Sequence, residues 1–126
     1  MPPTIQTLVW ALVAFQAKHL LADFLLQTKW MMAGKERLRG WLAPLTAHAA
    51  AHAAMTLCIA LWLNPALWWL GAVDLAVHAA VDRGKSVLAF GLGTHDGERI
   101  WWRIFGVDQT LHHLTHLAYA VVLVLH

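Results

Sequence analysis

The sequence predicts an all-α integral membrane protein: an antiparallel four-helix bundle with a short interfacial helix in its second cytoplasmic loop. Three observations carry that prediction. Of the 126 residues, 60% are hydrophobic and only 13% charged, against roughly 45–50% apolar in an ordinary soluble domain. The apolar residues gather into four windows close to the roughly 20 residues a helix needs to cross a hydrocarbon core about 30 Å thick. Most of the Lys and Arg residues are bunched between these windows. A chain of this length is expected to form one domain, 1–126.

The first expected span runs from Ile5 to Gln27. No Lys or Arg precedes it and no small-residue cleavage site closes a short apolar stretch, so it reads as a retained helix rather than a signal peptide. The second runs from Ala43 to Leu63 and the third from Ala66 to Leu88, joined by Asn64-Pro65, a turn short enough to make an antiparallel hairpin. The fourth runs from Val107 to Leu125. Gly91, Gly93 and Gly97, with His95 and Asp96 among them, mark a loop before it. Charges alternate with Trp, Ile and Phe at helical spacing over Glu98–Phe105, the stretch expected to lie along the interface.

Lys29, Lys35, Arg37 and Arg39 lie in the Thr28–Leu42 connection, and Arg83, Lys85, Arg99 and Arg103 lie in or beside the Ala89–Gly106 connection. By the positive-inside rule both connections are cytoplasmic and both termini are outside, the topology of a multi-pass membrane protein. Trp62, Trp68 and Trp69 bracket the outer turn, and Trp30, Trp41, Trp101 and Trp102 sit at the cytoplasmic ends, as aromatic belts do. Trp10 is expected to pack within the first span. The net charge of +2 does not indicate nucleic acid, because the basic residues form no continuous face. A single cysteine, Cys58, excludes a disulfide framework and a Cys-rich zinc module. The Ala-rich stretch Ala47–Ala54 favours close helix contact.

Ionisable side chains inside a membrane are costly and usually face the bundle interior with a partner or an ion. Here they are patterned. His19 and Asp23 stand four residues apart in the first span, followed by Gln27, and His48 and His52 repeat the spacing in the second. The third has Asp74, His78 and Asp82, then Lys85, and the fourth has Asp108, His112 and His116 beside Gln109 and His113. Residues four apart share a helix face. In antiparallel helices the late residues of one span lie level with the early residues of the next. His19, Asp23, His48, His52, His78, Asp82, Asp108 and His112 should therefore converge near the cytoplasmic face.

Imidazole and carboxylate together suit a divalent transition metal such as zinc, iron or manganese, and helix bundles build such sites from facing pairs. Asp23, Asp82 and Asp108 bring three negative charges and Lys85 returns one, so a divalent cation or protonated Asp would balance the set. Two adjacent metals, or one with a supporting shell, fit the spacing equally. Asp74 and His116 extend the polar track toward the bilayer middle. Lys18 is open between snorkelling and pairing with an Asp.

The segment from His19 through Asp23 to Gln27, the His48 and His52 pair, His78-x-x-x-Asp82-x-x-Lys85 and Asp108-Gln109-x-x-His112 resemble the bacterial membrane family called domain of unknown function 3307. The resemblance covers nearly the whole chain and implies a small integral inner-membrane protein with this polar pattern. More loosely, the His and Asp clusters near helix ends resemble predicted membrane-bound metal-dependent hydrolases.

Three functions follow as expectations. In a metal-dependent hydrolase of lipid or phosphate-ester substrates, the metal would lower the pKa of a bound water, Asp82 or Asp108 would act as base, and Lys85 would hold an anionic group. In a proton or metal-ion transporter, Asp74 and His116 would continue a pathway. In a structural or partner-binding subunit, the network would only fix helix packing. The lipid bilayer is the expected partner in each case, and a homo-oligomer would supply a missing wall for transport.

Overall fold

In the computed structural model of the chain, which describes residues 3–126, the described residues are helical or in short turns, with no strand. Helix α1 occupies Pro3–Leu20 and runs into a π turn over Leu21–Leu25, where the Leu26 N–H reaches back five residues to the Leu21 carbonyl at 2.8 Å. Helix α3, Leu42–Leu63, follows the expected second span. Its Pro44 lies in the first turn, where the missing N–H costs no intrahelical bond. Pro65–Leu67 then takes a 3-10 turn, which delays helix α4 to Leu70–Leu92, four residues later than expected at either end. Gly93 ends α4 in the left-handed conformation (φ 62°), and the Thr94 N–H closes back on the Ala89 carbonyl. Only glycine takes that cap without strain.

Both long connections differ from expectation. Thr28–Leu42 contains helix α2, Lys29–Lys35, whose N-cap is the Thr28 hydroxyl accepting the Met31 N–H at 3.2 Å. The expected separate interfacial helix over Glu98–Phe105 does not form. Helix α5 instead runs unbroken from Arg99 to Leu125, 27 residues. A lone Gly106 weakens a helix by only about 1 kcal/mol relative to Ala and does not stop it. The Glu98 carboxylate secures the turn before α5 by accepting the His95 N–H at 3.1 Å.

Helices α1, α3, α4 and α5 pack in a closed ring, each against two neighbours, and α2 folds back onto α3. The ring has two layers. Beside the Asn64–Trp69 turn the interior is apolar, built from Phe15, Ile59, Leu67, Leu70, Tyr119 and Leu123. Toward the α2 end it is polar, so that among the described residues 14 polar or charged ones are buried beside 13 hydrophobic ones. The outer surface is the reverse: Val13, Leu21, Phe24, Leu61, Val87, Leu114 and Leu117 are exposed. Trp10 joins this surface instead of packing inward. It is 50% exposed and meets Trp62 edge-on at 6.3 Å, because Ala11 and Phe15 hold the inward positions of that stretch. Two helical stretches, Pro3–Leu25 and Leu42–Leu63, are long and apolar enough to cross a membrane.

Close approach is enforced at few points. A Cβ on Gly34 would collide with the Pro44 ring, whereas one on Gly84 would meet open space. Gly34→Ala is therefore expected to cost about 1–3 kcal/mol through overpacking. Gly84→Ala should be neutral or stabilising by up to about 1 kcal/mol. Thermal unfolding of the two variants side by side checks this, and equal melting temperatures would mean that α2 does not press on α3.

Candidate metal centre

Each of the four long helices contributes one polar stripe at four-residue spacing, and the stripes meet in the layer next to α2. The π turn widens the chain where Asp23 enters that layer, a local irregularity frequent at functional sites. Asp23 gathers imidazoles from α1 and α3: its Oδ1 lies 2.8 Å from His52 Nε2 and 3.3 Å from His48 Nε2, and its Oδ2 lies 3.3 Å from His19 Nε2. Asp82 does the same on the other side. His112 Nε2 is 3.1 Å from its Oδ1, and His48 Nε2 and His78 Nε2 are 3.5 and 3.9 Å from its Oδ2. Between the two carboxylates the rings of His52, His78 and His112 stack in sequence, with centroids 3.7 and 4.2 Å apart.

Six of the eight residues that the sequence singled out as metal ligands fall into two sets whose donor atoms lie within 4.8 Å of one another. One is Asp23, His48, His52 and His78; the other is His78, Asp82 and His112, so that His78 belongs to both. These groups could hold a metal ion. The remaining two, His19 and Asp108, stand beside the sets. His19 Nε2 donates to Gln109 Oε1 at 2.9 Å, and the Gln109 amide donates to Asp108 Oδ2 at 3.1 Å. Asp108 Oδ1 approaches His112 Nε2 at 3.4 Å without hydrogen-bonding it.

The donor chemistry fits a cation. Both ring nitrogens of His48 and of His78 are buried without a hydrogen-bond partner, as is Nδ1 of His52. Leaving a buried polar group unpaired costs about 1–3 kcal/mol, so this many in one layer requires an explanation, and an ion shared among them supplies one.

The structure adds a residue that the sequence reading had used only as a topology signal. Lys35, the last residue of α2, is 7% exposed and its Nζ donates to Asp82 Oδ2 at 2.9 Å. Lys85, expected to offset the acidic set, pairs with Glu36 at 3.0 Å at the rim. With neutral imidazoles, Asp23, Asp82 and Asp108 against Lys35 leave two negative charges. A local signal for Lys35 was present in Thr28 as a helix N-cap followed by Trp30, Met31 and Ala33, but the run is too short to stand out.

A cavity of about 670 Å³ opens beside the centre. Its lining combines the acidic Asp23, Glu36, Asp82 and Asp108 with the cationic Lys29, Lys35 and Lys85 and the apolar Phe24, Met32, Trp101 and Phe105. Gln27 and Asp96 also face it.

The deeper polar residues form a separate lock. Lys18 does not snorkel: its Nζ donates to Asp74 Oδ2 at 2.6 Å and to His116 Nε2 at 3.1 Å. The Thr56 hydroxyl donates to the same Asp74 oxygen at 2.7 Å. The His116 ring stacks on Phe15 with centroids 5.3 Å apart, where the polar layer gives way to the apolar one.

Residues 11–126 match the family described as Protein of unknown function (DUF3307). The chain belongs to that family. No curated protein and no solved structure matches it.

The Lys18–Asp74 lock makes a stability prediction. Lys18→Met leaves a carboxylate buried and uncompensated, which should cost about 3–5 kcal/mol, while adding Asp74→Leu should recover most of the loss. Unfolding of the single and double variants in mixed micelles tests this; a double variant as unstable as the single would mean that the pair does not act as a unit.

Proposed function

We propose that this DUF3307 protein is a polytopic membrane protein whose four long helices span the bilayer and enclose a divalent transition-metal centre, and that the centre hydrolyses a lipid or phosphate ester at the cytoplasmic leaflet. The membrane part rests on the inverted layering, with apolar side chains outside and ionisable ones inside. It rests also on cationic residues at the α2 end, which the positive-inside rule places in the cytoplasm. α4 and α5 are less apolar than α1 and α3 because they carry most of the inward-facing ionisable residues, and those face neighbouring helices rather than lipid.

The observation that carries the metal is the pair of ligand sets sharing His78, with unpaired ring nitrogens. A metal held there would act as a Lewis acid and lower the pKa of a bound water. The chain's own residues would supply the rest. Lys35 holds the Asp82 carboxylate in place, and Gln109 fixes Asp108 through one oxygen, leaving the other free to accept a proton. Lys29 and Lys85, which also line the cavity, would receive an anionic group, and its aromatic residues would accept an apolar one. A conduction pathway would have to break the Lys18–Asp74–Thr56 lock and then cross the apolar layer. That favours a site entered from one end over a channel.

Elemental analysis of the purified protein should find a near-stoichiometric transition metal that His78→Ala and His52→Ala each remove. Asp108→Asn, one step behind His112, should weaken metal affinity about 10–100-fold without abolishing it. Absence of metal after reconstitution with zinc, iron and manganese would sink the reading.

A further inference from the structure

Between α4 and α5 a second cavity, about 480 Å³, opens on the outer surface of the ring rather than at its end. Ala80, Gly84 and Leu88 line it from α4, and Val107 and Leu111 from α5. From Ala80 to Leu88 the groove follows about 12 Å of helix. It exists because this stretch of α4 carries little side-chain volume: the space a Cβ on Gly84 would enter is empty.

Apolar walls alone would not identify an occupant. Two further features do. Lys85 and Arg103 stand in the same cavity, at the end toward the cationic connections, while its deeper part is apolar. That is the charge pattern of a molecule with an anionic head and a hydrocarbon tail, in the orientation a lipid of the cytoplasmic leaflet has. The groove is also continuous with the cavity of the metal centre, since Lys85 and Asp108 line both.

We propose that the α4–α5 groove seats an acyl chain of a lipid phosphate, with the phosphate held between Lys85 and Arg103, so that the lipid enters the centre sideways from the bilayer. The inference rests on the membrane and metal reading above and names its substrate class. Lys85 then has a binding role: it is held by Glu36 at the boundary of the two cavities, where a phosphate entering from the groove would compete for the same ammonium. Arg103, on the groove side alone, provides the first contact.

The test uses the full-length protein in phosphatidylcholine vesicles containing a minor fraction of phosphatidic acid with a photoreactive diazirine in its acyl chain. Adducts are mapped by mass spectrometry, and bound metal is measured in parallel. Labelling should concentrate on the α4 and α5 residues of the groove. Gly84→Phe should remove it, whereas Gly91→Phe, an equally unobstructed glycine outside the groove, should not. Lys85→Gln and Arg103→Gln should each lower phosphatidic acid labelling about fivefold, the attraction of one cation near the membrane surface. They should leave labelling by the diazirine phosphatidylcholine analogue unchanged. If Gly84→Phe misfolds, Gly84→Leu gives the same readout with a smaller side chain. Labelling spread evenly over the outer helices and unmoved by Gly84→Phe or Gly84→Leu would overturn the groove proposal, even with metal bound. Groove labelling in a protein without metal would keep the lipid site and overturn the hydrolase.

Discussion

Asp82 is the point on which the arrangement turns. Its carboxylate has 4% of its surface exposed and lies where α2, α3, α4 and α5 meet, with Lys35 at 2.9 Å, His112 at 3.1 Å and His48 at 3.5 Å. A carboxylate withdrawn from water is stable only if its neighbours replace the lost solvation, and here each surrounding element contributes one group. That requirement fixes the rotation of α3 and α5 about their axes. It also accounts for α2, a seven-residue helix too short to be stable alone, folding back on α3 to deliver Lys35. Gly34 makes the approach possible by leaving room for the Pro44 ring between the two helices.

The same requirement explains the layering. Ionisable groups cannot be scattered through an interior, because each would need its own partners. They are concentrated in two connected layers, the Asp23–Asp82 centre and the Lys18–Asp74 lock, and the remainder of the interior is apolar. The lock is largely closed on itself: Lys18, Asp74 and Thr56 satisfy one another, and His116 Nδ1 and the Tyr119 hydroxyl are the groups around them left without a partner. The centre is not, since its carboxylates outnumber its cation and several ring nitrogens have no partner. This difference in charge balance and in the number of unpartnered nitrogens makes the centre, rather than the lock, the layer that could hold an ion.

Most of the centre was legible in the sequence because it depends on two regularities, the four-residue repeat of a helix face and the levels that antiparallel helices share. His48, His52, His78 and Asp82 obey both, and they meet where those rules place them. What was not legible depends on reach rather than period. Lys35 lies in a connection whose lysines and arginines the positive-inside rule reads only as topology, and nothing in one-dimensional spacing says that one of them turns inward. Lys18 and Asp74 are 56 residues apart and pair because α1 lies across α3 from α4, a fact of packing. The continuity of α5 through Gly106 was missed for a related reason. Alternating charge and aromatic residues describe an amphipathic surface equally well on a separate helix and on the first turns of a longer one.

The openings of the centre bear on the proposed hydrolysis. The far end is sealed by Phe15, Leu70 and Tyr119 beyond the Lys18–Asp74 pair, whereas the near end carries a wide cavity and the flank an apolar groove. A pathway through the molecule would need comparable access on both sides of its polar layer. A site that takes an amphipathic molecule needs water and cations at one face, hydrocarbon at another, and a dry wall behind, so that charge at the centre is not screened. The positions of Lys85 and Asp108 on both openings join these requirements: they stand where the polar head of such a molecule would leave the groove and meet the carboxylates and imidazoles of the centre.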